Sequence, residues 1–129
     1  MRWLTVRKRI RQIWPKVKQH VPDRNQRSQG HTEYPDELIF EAMLYMVWHN
    51  HPMRKPLGAP YPKVHALHRR IDALVHSRAL DKLWEAYLAE LGKEDLLAWE
   101  KVFVRLREGK PARGGISLGL AWCMIQERG

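Results

Sequence analysis

One cysteine, two phenylalanines and only 14 acids against 23 Lys and Arg in 129 residues are the scarcities that narrow this chain first. A lone Cys123 excludes an internal disulfide and fits a reducing, cytoplasmic environment. Charges interrupt every early apolar run, so no secretory signal is expected. The most apolar late stretch, residues 116–125, is about half of the roughly twenty residues that cross a bilayer, so no membrane partner is expected. No phosphate-cradling glycine loop is present either, because Arg113, Gly114 and Gly115 follow no strand-to-helix frame. At 129 residues the chain has room for one modest core and for little beyond it.

What is abundant is positive charge, and it is unevenly placed. Residues 1–28 hold nine Lys or Arg against the single acid Asp23, a local balance of +8 in a chain whose total is +9. Residues 53–78 sum to +5, with Arg54, Lys55, Lys63, Arg69, Arg70 and Arg78 against Asp72, whereas residues 33–50 and 81–100 each sum to −4. Basic segments separated by acidic ones imply a polyanion contacted by chosen elements, and nucleic acid is the economical candidate.

The spacing of apolar residues predicts helices throughout, and an all-α domain of four to five helices. In the first segment Val6, Ile10, Ile13, Trp14 and Val17 share one face, and Arg7, Lys8, Arg11 and Lys18 lie off it. An acid-free basic leader of this kind also suits an organellar transit peptide or a membrane-surface helix, but it lacks the serine enrichment of the former. Residues 22–32, rich in Asn, Gln, Ser, Gly and Arg, read as a basic linker. A second helix begins near Pro35, with Asp36 and Glu37 offsetting its dipole, and carries Leu38, Ile39, Ala42, Met43, Met46 and Val47 as a buried stripe. It should end before Pro52, which pushes His51 out of helical geometry.

After a basic corner at Arg54 and Lys55, Pro62 opens a third helix, where a missing N–H costs nothing. Val64, Leu67, Ile71, Leu74 and Val75 form its core stripe. The opposite arc holds His65, Ala66, Arg69, Ala73 and His76, with Lys63 and Arg70 at the flank: small residues for close approach and cations for phosphates and guanine edges. A fourth helix over residues 80–91 buries Leu80, Leu83, Trp84, Tyr87, Leu88 and Leu91 and stops at Gly92. The order helix, break, basic helix matches a helix-turn-helix.

Residues 35–48 (PDELIFEAMLYMVW), the corner 54–58 (RKPLG), the basic helix 63–70 (KVHALHRR) and residues 80–88 (LDKLWEAYL) together resemble the N-terminal domain of bacterial insertion-sequence transposases of the DDE class. The resemblance reaches upstream to Leu4, Thr5, Trp14 and Pro15. It implies a helix-turn-helix that binds the terminal inverted repeats of a mobile element, with Lys63, His65, Arg69 and Arg70 at the groove, Arg54 and Lys55 on the backbone, and Arg7, Arg11 and Lys18 as further DNA contacts. It also implies a bacterial protein, cytoplasmic and nucleoid-associated when bound to DNA, whose partners are double-stranded DNA and either full-length transposase or a second copy of itself.

The same resemblance makes residues 99–104 the first strand of a ribonuclease-H-like catalytic fold, a strand that in the family ends on the first metal-binding aspartate. Here Arg105 follows instead, with Lys110, Gly114 and Gly115 in the family's later register. The expected organisation is therefore a helical DNA-binding domain over 1–92, with 93–129 as a truncated catalytic start or a disordered tail. No catalytic residue, metal, cofactor or small-molecule ligand is expected. The product would be a first-frame or degraded form that binds DNA without cutting it.

Other chemistries are weaker. His65 and His68 stand three apart on one helix, a spacing that can share an ion, but no carboxylate completes the set. A metal nuclease using these histidines is the enzymatic rival. Cys123 has no histidine near it in sequence and reads as an inert thiol. Trp3, Trp14, Trp48, Trp84 and Trp99 fall on or beside apolar stripes, which favours core packing over base stacking. The rival from a different class is a helical interaction or inhibitory module whose basic faces meet an acidic protein.

Overall fold

A computed structural model describes residues 1–22, 34–52 and 54–108. These residues are all-α, with five α-helices and no strand among them: α1 (Trp3–Val17), α2 (Asp36–His49), α3 (Val64–His76), α4 (Ala79–Ala89) and α5 (Lys93–Glu108), with a 3₁₀ turn at Lys18–His20 after α1. The expected linker at 22–32, apart from its first residue, and everything after 108 lie outside the described residues.

The centre of the fold is α2. It touches α1, α3 and α5, while α4 closes the other side against α1 and α3. Sequence periodicity gave α2 one stripe, but Phe40 and Leu44 are buried as well as Ile39, Ala42, Met43, Met46 and Val47. A helix buried nearly all round loses the one-sided pattern that a surface helix shows. Its end is fixed by Asn50 in the left-handed region (φ 50, ψ 48), whose N–H reaches Val47 O while His51 N–H reaches Met46 O at 2.8 Å. This is the Schellman arrangement, with asparagine in the place glycine usually takes. The other helices are one-sided: Val6, Ile10, Ile13 and Val17 from α1, Leu67, Ile71 and Leu74 from α3, and Leu80, Leu83, Trp84, Tyr87 and Leu88 from α4 reach the common core.

One expectation is corrected here. Residues 99–104 are helical, and Trp99, Val102 and Phe103 of α5 lie in the same core as α1 to α4. The run that resembled a strand also places Asp95, Trp99, Val102, Phe103 and Leu106 on one helical face. Glu94 and Asp95 suit the positive end of that helix. Packing then decides between two periodicities that a short aromatic and β-branched run satisfies equally. Trp99 meets Trp48 edge-on at 5.0 Å and Trp84 at 5.3 Å, and its indole N–H donates to the buried Tyr87 hydroxyl at 3.3 Å. Burial raises the Tyr87 pKa well above its ordinary value.

The segment joining α2 to α3 spans residues 50–63, longer than the three or four residues of a helix-turn-helix turn. The helix order expected for that motif is present, with a longer connection than the motif's own.

Candidate nucleic-acid interface

The eight Lys and Arg residues and the one histidine expected to contact DNA fall into two groups. Arg7 and Arg11, one turn apart on α1, both point at Glu41 of α2: Arg7 Nε lies 3.5 Å from Glu41 Oε2, and Arg11 Nε donates to Oε1 at 3.3 Å. Glu41 is only 2% exposed, so its charge is tolerable because these guanidiniums sit beside it. Arg70 is likewise engaged. Its Nε donates to Asp36 Oδ1 at 2.9 Å and an Nη donates to the Pro22 carbonyl at 3.3 Å, which ties α3 to the start of α2 and to the end of the first segment. Arg70 therefore has a carboxylate of its own, whereas Arg7 and Arg11 share one, and the Arg11 side chain remains 54% exposed.

The second group is exposed: Arg54, Lys55, Lys63, His65 and Arg69, with Lys18 apart from them in the 3₁₀ turn that packs on α4. None of the four cations Arg54, Lys55, Lys63 and Arg69 has a carboxylate within ion-pair distance among the described residues. On α3 the face away from Leu67, Ile71 and Leu74 carries His65, Arg69, Asp72, Ala73 and His76, all exposed. The first turn of α3 has no acid, whereas those of α2, α4 and α5 do, so the positive end of its dipole is open beside Lys63 and His65.

The approach to α3 is built, and it does not hang free. Lys55 N–H closes a turn onto Pro52 O at 3.2 Å, and the His51 ring donates Nε2–H to Lys55 O at 2.9 Å, which fixes that imidazole as the Nε2–H tautomer if neutral. His51 in turn meets Tyr45 of α2 at 5.9 Å, and Tyr45 also contacts Trp3 at 5.2 Å, His49 at 4.1 Å and Tyr61 at 5.5 Å. Tyr61, next to the buried Pro62 that precedes α3, has its pKa pushed up to about 12, first by burial and then by the Glu41 carboxylate. Glu41 thus links α1 to the entry of α3. A charged residue inside the apolar run 38–48 was the signal for this role, and reading α2 as a single stripe passed over it.

Among the described residues no three His, Cys, Asp or Glu side chains converge as a metal site, and no helix is long and apolar enough to cross a membrane. His65 is exposed and His68 half-buried on α3. Comparison of the chain with protein-family models, with curated proteins and with solved structures found no match.

Proposed function

We propose that this chain is a duplex-DNA-binding module of the insertion-sequence transposase type, which binds terminal inverted repeats and carries out no strand chemistry of its own. One observation carries the reading: the fold sorts its arginines. Arg7 and Arg11 share the one carboxylate of Glu41 and Arg70 pairs with Asp36, while Arg69, Lys63 and the corner Arg54–Lys55 have no carboxylate partner among the described residues and stand exposed with His65 around the start of α3. In this reading Arg69 and His65 reach base edges, and Arg54, Lys55 and Lys63 hold phosphates. Full-length transposase is a natural partner of such a module, which would compete for the same repeats.

Fluorescence anisotropy with labelled duplex at several salt concentrations tests this. Four neutralised phosphates give log K against log salt a slope of about −4 by counterion release. An absence of binding at low salt, or a salt-sensitive complex with an acidic protein in place of DNA, removes the proposal.

A further inference from the structure

Exposed apolar bulk is concentrated on one face of α5. Of the large hydrophobic side chains exposed among the described residues, Met1, Leu97 and Val104 line a single open groove with Trp48, Ala98, Glu94, Glu100, Lys101 and Arg105, and Leu4 is the fourth. Leu97 and Val104 are 49% and 44% exposed, yet they stand on the face opposite Trp99, Val102 and Phe103, which are buried. Positions 94, 97, 101 and 104 follow the three-then-four spacing of a helix–helix seam. On that seam the apolar Leu97 and Val104 alternate with the charged Glu94 and Lys101, so the outer face offers a second helix both apolar contact and ion pairs.

The charges on this face identify the occupant. Glu94 and Glu100 precede Lys101 and Arg105, so the face is acidic toward its start, basic toward its end and neutral in sum. The chain as a whole carries +9, which opposes self-association, so a face neutral in sum is the one that adds least to the repulsion. A parallel copy of the face would set like charges together, whereas an antiparallel copy sets each acid against a base. A two-fold axis near residues 100 and 101 brings Leu97 against Val104 of the second copy and Glu100 against Lys101 of the second copy, twice over. We infer that α5 forms an antiparallel, two-fold interface with a second copy of this chain. The inference is independent of the DNA reading, since no α3 residue lines the groove.

Sedimentation equilibrium of the full chain over a wide concentration range tests it, with circular dichroism confirming that each variant keeps its helices. A concentration-dependent dimer is expected, and Leu97→Glu with Val104→Glu should weaken it by about tenfold or more. Glu100→Lys alone and Lys101→Glu alone should each weaken self-association. Mixing those two variants should restore a dimer, because each then meets the opposite charge. Dimerisation should also persist at a salt concentration that has released DNA, so that failure of one proposal is separable from failure of the other. A monomer at every accessible concentration overturns the inference, including the case in which the chain's own residues 109–129 cover the face. So does a dimer indifferent to these substitutions.

Discussion

Arg70 of α3 is held by Asp36 of α2 through a 2.9 Å hydrogen-bonded ion pair, with side chains only 14% and 23% exposed, whereas the adjacent Arg69 stands at the surface. A step of one residue turns about 100° around a helix, which is enough to move a guanidinium from a structural pair to an outward face. The two arginines look interchangeable in a basic sequence run, and the fold gives them opposite work.

The buried carboxylate of Glu41 makes the same point on the stability side. Glu41→Gln leaves Arg7 and Arg11 without their counter-charge beside α2, although both arginines retain enough exposure to turn toward water. The expected loss is about 1–3 kcal/mol, below the full cost of stranding a deeply buried ion. Urea denaturation of the variant measures it directly.

Alkaline pH should loosen the α2–α3 junction. Tyr61 titrates near 10.0 when unfolded and near 12 in the fold, so the folded state keeps its proton longer. Its contribution to stability is complete below about pH 10 and is lost as pH rises through the window up to about 12. Stability measured across that window should fall less steeply in Tyr61→Phe than in the parent chain. An identical slope in the two proteins would mean that neither burial nor the neighbouring Glu41 raises the Tyr61 pKa.

Trp99→Ala should cost about 3–5 kcal/mol, because a large aromatic is removed from a core formed with Trp48, Trp84 and Tyr87. The loss should appear in one cooperative transition that includes α1 to α4. A variant that unfolds α5 alone and leaves the rest at its original midpoint would set a unit boundary at residue 92.

How much of this was legible in the sequence differs from element to element. The one-sided helices α1, α3 and α4 were readable because Ile10, Ile71 and Leu83 repeat with their neighbours at three- and four-residue steps. The periodicity of α2 was diluted by burial on several sides, which concealed Phe40, Leu44 and the role of Glu41. The strand expected at 99–104 rested on the family resemblance, and tertiary packing of Trp99 and Phe103 made it helix. The candidate interface was legible as a basic region. Which of its cations are free depended on Asp36 and Glu41, carboxylates about thirty residues away in sequence from Arg70 and Arg11, and no local pattern reports such pairs.

Loosening the corner tests whether its geometry matters to binding. His51→Ala removes the ring that donates to Lys55 O, a hydrogen bond of about 1 kcal/mol. Helix content should be unchanged while duplex affinity drops several-fold. An unaltered affinity would take Arg54 and Lys55 out of the proposed contact surface.

The most direct measurement compares Arg69→Ala with Arg70→Ala, each assayed for urea stability and for duplex affinity at fixed salt and a denaturant-free temperature where both remain folded. Arg69→Ala should keep its stability within about 0.5 kcal/mol and lose roughly 1–3 kcal/mol of duplex binding. Arg70→Ala should lose about 1–3 kcal/mol of stability while its folded fraction binds duplex nearly as the parent does. Equal losses of affinity at both positions, or a stability loss confined to Arg69→Ala, would contradict the division of labour between these neighbouring arginines.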